Sequence, residues 1–139
     1  MSLHILDTDT LSHYQRGHPK VCHRASARQP NDLAITVITV EEQLSGWYTL
    51  LRKAKRRDEL ARVYQRLTDN VQFLAGLQIH SYTEPAIERY DQLKALTLKI
   101  GKMDLRIAAI AQERGATLVT RNLRDFQRIP NLALEDWTA

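Results

Sequence analysis

HILDTDTLS (4–12) is the stretch on which the reading of the whole chain turns. A short apolar run, HIL, ends on Asp7 and Asp9, two carboxylates two residues apart, just where a helix-like segment begins. A buried strand that surfaces onto carboxylates has three physical explanations. The pair holds an aspartyl nucleophile for phosphoryl transfer, or it holds a divalent metal, or Asp9 caps the following helix.

Working outward, short β-branched runs alternate with longer helical patterns. After HIL (4–6), strand-like runs appear at LAITVIT (33–39), LQIHSY (77–82), TLVT (117–120) and LALEDW (132–137). Helical stretches lie between them. Thr8 to Gln15 stops at Gly17, and Pro19 opens a helix running to about Arg28. Val40 to Ala54 and Asp58 to Leu74 carry apolar residues at helical spacing. Thr83-Glu84-Pro85 starts a helix expected to reach Lys99, before Gly101, and MDLRIAAIAQERG (103–115) is an apolar-faced helix closed by Gly115. Strands alternating with helices imply βαβ units, hence an α/β fold with a mostly parallel sheet in one domain over residues 1–139. In such sheets, sites gather beyond the carboxyl ends of the strands.

Composition narrows the class. Hydrophobic residues are 43% and charged residues 26%, an ordinary globular mixture, and no apolar run approaches the roughly 20 residues of a membrane helix. The start has no basic region followed by a long apolar segment, so no signal peptide is expected, and the lone Cys22 cannot staple the fold. These features together imply a cytoplasmic protein with a reduced thiol and no membrane partner. The net charge of +4 mildly favours a polyanionic partner. RKAKRR (52–57) concentrates five cations: Arg52, Lys53, Lys55, Arg56 and Arg57. The plain alternative is a solvated helix face, with Asp58 and Glu59 pairing to Arg62 and Lys55.

Four acids fall where sheet is expected to turn over into helix. Asp7 ends the first strand, and Glu42 lies in the first turn of the helix fed by LAITVIT. Asp104 opens the helix 103–114, and Asp125 follows TLVT. Each has an ordinary explanation as a cap or a first-turn acid favoured by the helix dipole. Together they imply convergence on one sheet edge. Clustered carboxylates repel and raise one another's pKa, and a hard divalent cation such as Mg²⁺ or Mn²⁺ removes the conflict. No competing chemistry is visible: His4, His13, His18 and His80 lack metal-ligand spacing and read as surface or turn residues, and no phosphate-cradling glycine motif occurs.

These residues resemble the PIN-domain ribonucleases, and within them the VapC toxins of bacterial toxin–antitoxin pairs. LDTDTLS is similar to the family's first motif, with Asp7 in the acidic slot. ITVEEQLSG (38–46) is similar to the second, with Thr39, Glu42 and Gly46 in register. MDLRIAAIAQERGATLVTRNLRDFQRIPNLALEDW (103–137) carries the most specific likeness: the Asp, the Ile-Ala-Ala helix, the strand ending in Thr-Arg-Asn, then Asp-Phe and a closing Trp. The chain departs from many relatives at Met103, where they carry a polar or acidic residue, and at Asn122, where some carry an acid.

The resemblance implies an α/β/α sandwich, usually dimeric, that cleaves RNA with Mg²⁺ or Mn²⁺ and is silenced by an antitoxin encoded alongside. It implies Asp7 and Asp104 as metal ligands and Glu42 as the residue that orients or deprotonates the attacking water. Asp125 completes the catalytic set or only holds its loop. Thr8, Asp9, Thr39, Thr120 and Asn122 support these acids, with Asn122 a candidate neutral ligand and Asp9 a helix cap. Arg121, Arg124, Arg128 and the 52–57 run would attract RNA backbone, and that run would also edge an antitoxin groove. Structured RNAs such as tRNA or a ribosomal loop are the implied targets.

Two rivals remain. A haloacid dehalogenase-type phosphatase also begins with Asp-x-Asp, yet that pattern requires Thr or Val at the fifth position, which here is Leu11. A non-catalytic PIN-like module that only grips RNA or protein has no electrostatic reason to keep a repulsive cluster of acids.

Overall fold

Each of the short apolar runs has residues of alternating direction, and this alternation builds the molecule. A computed structural model describes residues 2–139. Among them, β1 (His4–Leu6), β2 (Leu33–Thr36), β3 (Gln78–His80), β4 (Thr117–Val119) and β5 (Leu134–Glu135) form a sheet in the order β3-β2-β1-β4-β5. Every neighbouring pair is parallel, so the mostly parallel sheet expected from the sequence is wholly so among these residues. Adjacent residues on a strand face opposite sides. Ile5, Ala34 and Leu118 enter one core, while Leu6, Ile35 and Val119 enter the other.

Helices cover both faces. The first core is closed by α5 (Glu84–Lys94) and α6 (Lys102–Glu113), through Ala86, Leu93 and Ile107 to Ala111. The second is closed by α1 (Thr8–Gln15), α2 (Pro19–Ser26) and the end of α4 (Arg57–Ala75), through Leu11, Val21, Ala25 and Leu74, with Trp137. The result is the expected α/β/α sandwich. No helix among the described residues is long and apolar enough to cross a membrane.

Several boundaries differ from the sequence reading. LAITVIT is strand only to Thr36, and Val37 to Thr39 are the first turn of α3 (Val37–Lys53). The Thr36 side chain caps α3 by accepting from the Thr39 amide at 3.3 Å, so a cap overrides the β-branched run. Helix α5 stops at Lys94 rather than Lys99, because Thr97 and Lys99 sit at φ of 53° and 59°, in the left-handed region. A short helix, α7 (Leu123–Phe126), follows β4 unannounced.

His4 is the clearest departure: it is buried in β1, not on the surface. Its ring reaches the Ser2 carbonyl at 3.0 Å and the Glu135 carboxylate at 3.2 Å. Trp137 donates to the same carboxylate at 2.9 Å, which pins β5 to the sheet. Burial pushes Glu135 up, but the bonds from Trp137 and His4 and the charge of Arg28 outweigh it and hold its carboxyl below the usual value.

Strand order places the site. β2 and β3 lie on one side of β1, and β4 and β5 on the other, so the connection direction reverses between β1 and β4. Helices in parallel α/β units run back against the strands, so α1, α3, α6 and α7 all begin at the carboxyl edge around that point.

Candidate active site

Asp7 leaves β1 with its amide donating to the Val119 carbonyl of β4 at 3.0 Å, at the junction where the strand order reverses. Its backbone is extended, and its side chain accepts from the Thr10 amide at 2.8 Å. Asp7 is therefore the cap of α1, and Asp9 is not. Thr8 is already helical, which puts Asp9 in the first turn, exposed. The cap and the candidate ligand are one residue. Burial pushes the Asp7 carboxyl above its usual value, and hydrogen bonding from Thr120 and Thr10 partly opposes this. Thr120, itself fully buried, accepts from the Asn122 amide at 3.0 Å, which ties the β4–α7 turn beneath Asp7.

Glu42 sits in the second turn of α3, one turn deeper than the sequence suggested, because α3 starts at Val37. Thr8 donates to its Oε1 at 2.6 Å, a charge-assisted distance, and lies 3.0 Å from the Thr39 hydroxyl.

Asp104 stands in the first turn of α6, half-buried. Its pKa is pushed up to about 6, first by burial and then by the charges of Asp7, Glu42, Asp125 and Asp9. Four acids from three separate parts of the chain thus act on one carboxyl. A cleft of about 360 Å³ is lined by Asp7, Thr8, Asp9, Glu42, Asp104 and Asn122, together with Ser12 and Phe126.

Asp125 is near but tethered. Asn122 caps α7, its Oδ1 accepting from the Asp125 amide at 3.4 Å, while its Nδ2 donates to Asp125 Oδ2 at 2.9 Å and Arg128 pairs with the same carboxylate at 3.6 Å. Asn122 faces the cleft while Asp125 is held against its own loop. Ser12 and Phe126 escaped the sequence reading. The signal for Ser12 was its position one helical turn after Thr8, whose carbonyl it bonds at 3.1 Å.

The cations divide. Arg121 lies between Thr120 and the cleft-lining Asn122 in the chain, with Nη1 3.3 Å from His13 Nε2. The 52–57 run lies at the far end of α3, about 15 Å along the axis from Glu42. There Arg56 and Arg62 pair with Asp58 at 3.3 and 3.8 Å. Lys55 meets Glu59 through its backbone amide at 2.7 Å rather than through its ammonium.

Among the described residues, no three Asp, Glu, His or Cys side chains converge tightly enough to enclose an ion. The donors facing the cleft are nevertheless all oxygens, and their charges conflict at Asp104. That set fits a hard cation of the Mg²⁺ type, which takes one or two carboxylates and keeps several waters, and it does not fit a closed cage.

Comparison with known proteins agrees with this architecture. Residues 4–132 match the PIN domain family. Ribonuclease VapC1 of Haemophilus influenzae strain R2866 is 32% identical over 98% of both chains. The tRNA(fMet)-specific endonuclease VapC of Salmonella typhimurium is 36% identical over 47% of this chain and 52% of its own. The crystal structure of DNA-bound VapBC from Salmonella typhimurium superposes with a TM-score of 0.75, at 27% identity and 99% coverage of both chains.

Proposed function

This chain belongs to the PIN domain family, with a VapC ribonuclease among its full-length relatives, and from that premise we propose that it is the toxin of a VapBC-type toxin–antitoxin pair, cleaving RNA phosphodiesters at the acidic cleft with Mg²⁺ or Mn²⁺. One observation carries the reading: Asp7 at the cap of α1, Glu42 on α3 and Asp104 on α6 line one cleft at the point where the strand order reverses, and the charges of Asp7, Glu42, Asp125 and Asp9 all act on Asp104.

Asp7 and Asp104 would hold the cation, which when bound supplies Lewis acidity and a water of lowered pKa. The chain's own residues do the rest. The Thr10 amide fixes the direction of Asp7. Thr8 holds one oxygen of Glu42, so the other is free to orient or deprotonate the attacking water. Asn122 presents a neutral polar group to the same space, and exposed Arg121, its neighbour in the chain, would offer a cation to a flanking phosphate. A tRNA is the substrate class suggested by the Salmonella relative, and an antitoxin is the partner suggested by the VapBC complex. A homodimer is the proposed assembly; light scattering of the purified chain tests it.

Cleavage of RNA in a Mg²⁺ and Mn²⁺ titration, with wild type beside Asp7→Asn and Asp104→Asn, tests the site. Metal-dependent cleavage lost in both variants is expected. Cleavage surviving in both sinks the assignment, and a wild type that binds RNA without cutting it in either metal identifies a binding module instead.

A further inference from the structure

Thr39 is fully buried on α3, yet its hydroxyl does not take the common route to a carbonyl of the preceding turn. Its hydrogen-bond partner is Thr8 Oγ1, 3.0 Å away on a different helix. Thr8 has one hydroxyl proton, and that proton goes to Glu42 Oε1 at 2.6 Å. A hydroxyl donates once and accepts through its lone pairs, so Thr39 donates to Thr8 and Thr8 donates to Glu42. The direction of the chain follows from this counting. Behind it stands Thr36, also fully buried, whose hydroxyl accepts from the Thr39 amide at 3.3 Å and anchors the start of α3.

The spacing explains itself physically. Thr39 and Glu42 are three apart on a helix, so they share a face and meet one hydroxyl from α1. Because α1 begins at the Asp7 cap, that hydroxyl is placed by the same turn that places Asp7.

We infer that Thr39 and Thr8 form a directed hydroxyl relay that locks the rotamer of Glu42, with Oε1 occupied and Oε2 left to the cleft. Both are positioning residues: they act on the reaction through Glu42. A bond into a carboxylate is stronger when its donor is itself polarised by a second donor, so Thr39 strengthens a contact it does not make. The inference rests on the ribonuclease reading for its consequence in catalysis, but not for its geometry.

The geometry is tested without substrate or metal, by NMR measurement of the χ1 couplings of Glu42 in the full chain. One rotamer is expected in wild type and in Thr8→Ser, and rotamer averaging in Thr8→Val and Thr39→Val. A single Glu42 rotamer in both valine variants overturns the relay, whatever their activity. The catalytic arm uses the same proteins, each with a thermal unfolding curve to establish folding. Thr8→Val is expected to lower kcat about 100-fold with KM within twofold, the effect of a misplaced reacting group. Thr39→Val is expected to lower it about tenfold, and Thr8→Ser to stay within about threefold of wild type. Because Thr39 acts through Thr8, the double valine variant is expected to match Thr8→Val alone, whereas independent effects would multiply. Multiplied losses overturn the relay even if rotamers average. Unimpaired cleavage in Asp7→Asn and Asp104→Asn would instead count against the metal site, leaving the rotamer result to stand on its own.

Discussion

The two ends of α3 carry opposite charge under opposite conditions. Near its start, Glu42 lies with Asp7 and Asp104 over fully buried Thr36, Thr39 and Thr120, and the carboxyls of Asp7 and Asp104 are driven above their usual values. Near its end, Arg52 and Lys53 continue into exposed Lys55, Arg56 and Arg57, which take exposed partners or none. A sequence reader notices the second cluster first, since five cations in six residues stand out. Yet Arg52 and Lys53 match the dipole at the end of α3, and the solvated charges of Lys55, Arg56 and Arg57 cost little, so the run says little about function. Charge held against its own electrostatics is the informative kind.

The sharpest way to break this comparison is at the acids. Asp7→Asn and Asp104→Asn are each expected to lower the RNA cleavage rate about a thousandfold or more, since several kcal/mol of charge stabilisation depend on them. Glu42→Gln is expected to cost about 100- to 10,000-fold through loss of general-base function, with Mn²⁺ affinity by calorimetry close to that of wild type. A Glu42→Gln protein that loses Mn²⁺ binding instead makes Glu42 a ligand.

The comparison also predicts a stability effect of opposite sign. Asp104 has a folded pKa of about 6, above its ordinary 3.8, so the folded state holds the proton more tightly. The stability it contributes is present below about pH 4 and is lost as pH rises through about 6. Metal-free Asp104→Asn should therefore melt higher than wild type at pH 7.5, by roughly 3–5 °C after allowance for its partial exposure, and no higher at pH 3.5. Equal melting temperatures at both pH values would show that the acids do not strain one another. At the far end of α3, Arg52→Glu with Lys53→Glu is expected to move the melting temperature little and the cleavage rate less than about threefold. A larger fall in cleavage there brings the basic run into the RNA path, and a fall in antitoxin affinity alone assigns it to the partner.

Much of this architecture was legible because it obeys local rules. The alternation of short β-branched runs with amphipathic helices gave the parallel sandwich, and the bounds of α1 came out at Thr8 and Gln15 because an acid, a threonine and a glycine mark them. Where local rules compete, the local pattern and the folded structure part. Val37 to Thr39 look like strand and are helix, since a threonine cap settles them. His4 looks like a surface histidine and is core, since the carboxylate that satisfies it lies 131 residues away.

The site divides in the same way. That Asp7, Glu42 and Asp104 belong together was readable from acids recurring at strand and helix edges and from the resemblance their motifs carry. Three things were decided only by the folded chain. Asp7 rather than Asp9 caps α1, because helical geometry admits one cap and Thr8 is already inside the helix. Asp125 is tethered by Asn122 and Arg128, leaving Asn122 to face the cleft. And a buried threonine on α3 reaches through another on α1 to hold Glu42. Periodicity and capping act over a few residues and are written in the sequence. Which hydroxyl meets which carboxylate depends on strand order and burial, and those exist only once the sheet has formed.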